Sequence, residues 1–65
     1  MSNPYESPKA MADLLLGAKG RSIKLTIEYL TSAIEAYARA GMSDQETFWR
    51  TTKEEVENER RRREG

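Results

Sequence analysis

The most regular hydrophobic pattern in the chain lies in its middle third, within residues 22–40. Apolar side chains recur there at steps of four, three, four and three, at Ile23, Ile27, Leu30, Ile34 and Tyr37. Side chains spaced three or four residues apart lie on one face of an α-helix. The pattern therefore predicts an amphipathic helix over residues 22–40, with this stripe on its core or partner-facing side.

The beginning of this segment also allows a second interpretation. Within residues 22–27, Ile23, Leu25 and Ile27 alternate with polar residues. An alternation of period two with β-branched side chains is typical of a strand. The four-three spacing extends over many more residues than the alternation does, and it favours the helix.

A short helix over residues 9–16 is predicted to precede this segment. Ser7 followed by Pro8 is typical of a helix start, because serine caps the first turn and proline fits its first position. Gly17 is expected to end the helix. Residues 1–8 are expected to form a flexible arm, since each proline disfavours helix in the residue before it.

A third helix is predicted over residues 44–60. Gly41 is expected to end the central helix, and Ser43 is expected to cap the third, with Glu46 at the capping-box spacing. The chain is thus predicted to be all-α, with a short N-terminal helix followed by a long antiparallel helical hairpin. Residues 9–65 would form a single small domain.

Self-association is expected from the size and composition of the chain. It has 65 residues and contains neither cysteine nor histidine. A domain this small rarely gains enough stability from its own core, and disulfides and structural zinc sites are the usual supplements. Since both need residues that are missing here, we expect a homodimer, with the central apolar stripe in its core or interface.

The same composition narrows the possible functions. Without histidine or cysteine, the commonest catalytic bases and nucleophiles are absent, so the chain is predicted not to be an enzyme and to hold no metal or cofactor. The 11 basic and 11 acidic residues balance, which argues against a protein that coats nucleic acid. The longest apolar run is Leu14 to Leu16, so no membrane segment is predicted and a cytoplasmic protein is expected.

Candidate binding residues cluster where the third helix begins. Tryptophan and arginine are frequent binding hot spots, and Arg50 directly follows Trp49, so an aromatic anchor with a charged neighbour is available at one site. The predicted partner-binding residues are Met42, Phe48, Trp49 and Arg50. The alternative is that Phe48 and Trp49 both belong to the core.

The favoured functional hypothesis is a small helical protein that binds and modulates another protein, as a regulator or inhibitor. Phages and plasmids commonly encode small helical proteins of this kind, which is an analogy at the level of the fold only. The direction of the effect and the target do not follow from the sequence.

The alternative hypothesis is DNA binding. If "SIKLT" is a strand, residues 22–56 resemble the ribbon-helix-helix family, with "MSDQETFWRT" as its second helix. The resemblance implies a transcriptional regulator or antitoxin whose Ser22, Lys24 and Thr26 read the major groove. Thr51 and Thr52 depart from the apolar core residues of that family. The four arginines at residues 60–63 are flanked by glutamates, which makes nucleic acid the less favoured partner.

Overall fold

The computed structural model describes residues 6–17 and 22–64, and within them the chain forms three α-helices and no strand. They are α1 (Pro8–Leu16), α2 (Ile23–Arg39) and α3 (Ser43–Glu64). The predicted all-α class is confirmed, and residues 23–27 are helical. Most of the predicted flexible arm, residues 1–5, lies outside the described residues.

The first two helices begin at serine caps, as the sequence predicts. The Ser7 hydroxyl accepts a hydrogen bond from the Ala10 N–H at 3.1 Å, and Pro8 occupies the first helical position. The Ser22 hydroxyl accepts one from the Leu25 N–H, also at 3.1 Å. Each cap satisfies a backbone donor that has no partner within the helix.

The end of α2 is a glycine-dependent turn. The Gly41 N–H donates to the Ala38 carbonyl at 3.2 Å, and the Met42 N–H donates to the Tyr37 carbonyl at 3.0 Å. These two bonds define a Schellman motif, which requires a left-handed residue just beyond the helix. Gly41 supplies it with a φ of 73°, so its predicted role as the helix terminator is confirmed.

The start of α3 differs from the predicted capping box. Ser43 is the first helical residue, and the Glu46 N–H donates to the Met42 carbonyl at 2.9 Å. The Glu46 carboxylate pairs with Arg50 one turn further along the helix. The turn at Gly41 brings the Met42 carbonyl into position for the first helical bond, so α3 begins one residue earlier than a Ser43 cap would allow.

α3 is the central element of the packing. It contacts both other helices, whereas α1 and α2 contact each other much less. The buried apolar residues come from all three helices and are Met11, Ala12, Leu30, Trp49 and Val56. Of the predicted stripe on α2, Leu30 is fully buried and Ile23, Ile27, Ile34 and Tyr37 are partly buried against this core.

Two threonines complete the core. Thr26 lies four residues before Leu30, Thr52 lies four residues before Val56, and both threonines are fully buried. Their hydroxyls donate to the carbonyls of Ser22 and Phe48 on their own helices, each at 2.9 Å. Because a buried hydroxyl without a partner is costly, these bonds allow threonine to fill positions that usually hold an apolar residue.

Candidate protein-binding site

The four predicted binding residues do not share one surface. Trp49 is only 7% exposed and Phe48 is partly buried, so both lie largely within the protein. Met42 is 47% exposed, and the Arg50 side chain is on the surface. Met42 therefore lies on the surface at the turn between α2 and α3, Arg50 lies on the surface about two helical turns further along α3, and the two aromatic residues pack in the interior.

Three aromatic rings pack together between α2 and α3. The ring of Trp49 is stacked on Tyr37, with centroids 6.4 Å apart and planes 5° from parallel. Phe48 meets Trp49 edge-on, at 5.4 Å and 83°. Such pairs contribute about 0.5–1.5 kcal/mol beyond the burial of their area. Tyr37 also accepts a hydrogen bond of the turn through its carbonyl, so the ring packing and the turn have this residue in common.

The indole N–H of Trp49 is buried and has no hydrogen-bond acceptor among the residues that the structure describes. Tryptophan can only donate through this group. A buried donor without a partner costs about 1–3 kcal/mol. The stacking and burial of the ring therefore offset a polar penalty within the same side chain.

The turn also forms an open hollow on the surface. Residues Gly41 to Gln45 line it, and its volume is about 320 Å³. The lining combines the exposed thioether of Met42 with the hydroxyl of Ser43, the carboxylate of Asp44 and the amide of Gln45. This mixture can receive an apolar side chain and hydrogen-bond the polar groups around it.

The electrostatic setting of the turn is mixed rather than strongly charged. Asp44 and Glu46 lie in the first turn of α3, and Arg50 pairs with Glu46 beside them. Negative side chains at this end of a helix are favoured by the helix dipole. The site therefore has both signs of charge near its apolar centre, as the rim of a protein interface commonly does.

The arginine run at the end of α3 pairs largely with its own helix. Arg61 bonds the side chain of Asn58, Arg62 pairs with Glu59, and the Arg63 Nε lies 3.3 Å from the same glutamate. These i,i+3 and i,i+4 contacts are typical of a solvated helix face. They fit the interpretation of this run as a helix end rather than as a phosphate-binding patch.

Two residues that the sequence reasoning did not select are also prominent on the surface. Leu25 is 55% exposed and Tyr29 is 52% exposed, both on α2. A second four-three-four spacing links Leu25 and Tyr29 to Ser32 and Ala36, and it could have revealed this face. The stronger stripe on the other side of the helix obscured it.

Among the described residues, the acidic, histidine and cysteine side chains do not form a group of three or more that could hold a metal ion. None of the described helices combines the length and the apolar character needed to cross a membrane. Comparisons with protein-family models, curated proteins and solved structures found no match to this chain.

Proposed function

We propose that this chain is a non-enzymatic helical protein that binds another protein and modulates it, as a regulator or inhibitor. The contact is made at the turn between α2 and α3, with Met42 and Arg50 reaching the target. In this proposal α2 and α3 are the arms of an antiparallel hairpin, and two copies associate as a homodimer. The observation that best supports the target site is the exposed Met42 at the hollow formed by Gly41 to Gln45.

The rigidity of the turn is a second support for binding there. Gly41 and its flanking hydrogen bonds fix the backbone, and Tyr37, which accepts one of these bonds, also stacks its ring on Trp49 of α3. A surface that is already ordered loses less conformational entropy when it binds. Methionine adds an adaptable apolar contact, which suits a protein surface with irregular shape.

The helical backbone favours a protein target over ribbon-type DNA binding. Residues 23–27 belong to α2, so they do not offer the strand that would enter the major groove. In that arrangement the DNA contact would also involve Thr26, which is fully buried. The neutral overall charge points in the same direction.

Affinity capture with two matched surface variants tests the proposal. The immobilised protein is exposed to host lysate with and without nuclease, and the captured proteins are identified by mass spectrometry. Met42→Ser should lose the target, whereas Leu14→Ser should retain it, because both remove an exposed apolar side chain but only Met42 lies at the turn. With the purified target, calorimetry should show binding weakened about tenfold or more by Met42→Ser.

Two outcomes would contradict this function. Capture that disappears after nuclease treatment would indicate that nucleic acid is the partner. Equal capture by wild type and Met42→Ser, with both proteins folded by circular dichroism, would exclude the turn as the contact surface.

A further inference from the structure

A second face of α2 is exposed and carries large apolar side chains. Leu25, Tyr29, Ser32 and Ala36 recur at steps of four, three and four, and all are exposed. Ala40, the C-cap of α2, continues the series by another step of four and is also exposed. This outer face of α2, defined by these five residues, points away from the side on which Leu30 is fully buried.

The side chains of the outer face differ in size between the two halves of α2. Its large side chains, Leu25 and Tyr29, lie in the first half of the helix, and its small ones, Ser32, Ala36 and Ala40, lie in the second half. Small residues leave space for the side chains of another helix to enter between them. The same helix therefore provides both the projecting groups and the space that could receive them.

The charged side chains beside this face also differ between the first half and the end of α2. Glu28, Glu35 and Arg39 are exposed along one edge of it, and none of the three forms an ion pair within the described part of the chain. By contrast, Lys53 lies 3.9 Å from Glu57 on α3. Glu28 lies in the first half of α2 and Arg39 at its end, with Glu35 one turn before Arg39, so the edge carries charges of both signs.

We propose that the outer face of α2 binds the same face of a second copy, with the two α2 helices antiparallel. The proposal rests on the homodimer in the proposed function and names its interface. A two-fold axis places the same patch on both chains, so each contact occurs twice. Only a self-complementary patch can satisfy this symmetry, and the distribution of size and charge along α2 has that property.

One register satisfies both kinds of complementarity. When the two-fold axis passes between residues 33 and 34, Tyr29 of one copy lies between Ala36 and Ala40 of the second copy. Glu28 of one copy then lies beside Arg39 of the second copy, at the same height along the helix axis. A parallel arrangement would instead place Tyr29 next to Tyr29, which leaves the small residues unfilled. It would also put the Glu28 edges of the two helices on opposite sides of the interface, away from Arg39.

Charge reversal tests this interface directly. Sedimentation equilibrium over a concentration series at low salt should show a reversible dimer for the wild type. Glu28→Arg alone and Arg39→Glu alone should each raise the dissociation constant about tenfold or more, because each change replaces two attractive pairs with two repulsive ones. The double variant Glu28→Arg/Arg39→Glu should return close to wild type.

The matched control is Glu54→Arg, which makes the same change at an exposed position of α3. It should leave the dissociation constant unchanged, and circular dichroism should show equal helix content in all variants. A wild-type protein that stays monomeric throughout the series overturns the proposal. So does a pair of single variants that behave like the Glu54→Arg control.

Cross-linking provides a second measurement, which tests the register of the two antiparallel α2 helices. The chain has no cysteine, so one introduced thiol is unique. Ser32→Cys lies close to the inferred axis and should form a disulfide-linked dimer under mild oxidation, whereas Glu54→Cys should not. Equal cross-linking of the two variants would contradict the register.

These tests separate the interface from the target site. Loss of dimerisation in the charge variants with retained target capture affects only the inferred interface. Loss of capture in Met42→Ser with an intact dimer affects only the turn. The dissociation constant of the dimer and the capture of the target are measured separately, so the failure of one proposal can be distinguished from the failure of the other.

Discussion

α2 and α3 are both long helices, but their surfaces are built in different ways. α3 buries a narrow line of Trp49, Thr52 and Val56, and much of its remaining surface is charged and paired within the helix. α2 has apolar side chains on two sides, one facing the core and the other exposed, and its Glu28 and Arg39 have no ion-pair partner in the described chain. This contrast indicates that α3 organises the fold of one copy, whereas α2 leaves an apolar face exposed, which is the face that we propose for association.

The largest expected effect is a difference in stability between substitutions on the two faces of α2. Leu30→Ala should destabilise the protein by about 2–5 kcal/mol, because it opens a cavity at a fully buried position. Leu25→Ala should cost less than about 1 kcal/mol in the monomer, because the Leu25 side chain is more than half exposed. Urea unfolding followed by circular dichroism below the dimerisation range measures both values. Equal losses would contradict the assignment of the two faces.

An intermediate effect is expected at the turn that joins the two helices. Gly41→Ala should destabilise the protein by about 1–2 kcal/mol, because the left-handed backbone disfavours a Cβ. Beyond the two neighbouring residues, no described atom lies within 4 Å of a Cβ placed there, so the cost should come from the backbone alone. Gly17→Ala is the comparison, because Gly17 has a right-handed backbone with a φ of −80°. A Cβ at Gly17 would lie 3.3 Å from the Asp13 carbonyl oxygen, so this variant measures a close contact without a left-handed backbone. Thermal unfolding should show the larger loss for Gly41→Ala.

The smallest effect should test the charged surface of α3. Glu59→Gln removes the partner of Arg62 and Arg63, and it should cost only about 0.3–1 kcal/mol because all three groups are partly or largely exposed. The loss should shrink further at high salt, where exposed charges are screened. Unfolding curves at low and high salt provide the measurement. A large, salt-independent loss would show that Glu59 has a role in the core.

The features that could be predicted from the sequence are the local ones. The caps at Ser7 and Ser22 and the turn at Gly41 depend on a few adjacent residues, and the sequence indicates each of them. The Ser43 cap was predicted wrongly because the hydrogen bonds of the preceding turn determine which carbonyl begins α3. The start of a helix can therefore be set by the hydrogen bonds of the preceding turn, even where the sequence contains a typical cap residue.

The features that depend on tertiary packing were harder to predict. Thr26 appears polar in sequence, but its hydroxyl bonds its own helix and the rest of the side chain packs as an apolar group. The spacing alone cannot show which of the adjacent residues Phe48 and Trp49 is more deeply buried. In the fold Trp49 is the more buried of the two, and its ring stacks on Tyr37. The outer face of α2 was missed because the stripe through Leu30 has the stronger pattern.

The position of Trp49 gives this protein an intrinsic optical reporter. Trp49 is the single tryptophan of the chain, and its indole N–H is buried without an acceptor among the described residues. An indole in such a dry environment emits at short wavelength, and exposure to water shifts the emission to the red. Tyr37 is close enough to pass excitation energy to the indole, since the two ring centroids are 6.4 Å apart. The emission colour and the tyrosine-sensitised signal therefore both follow the packing of α3 on α2, so separation of these helices can be timed without adding a label.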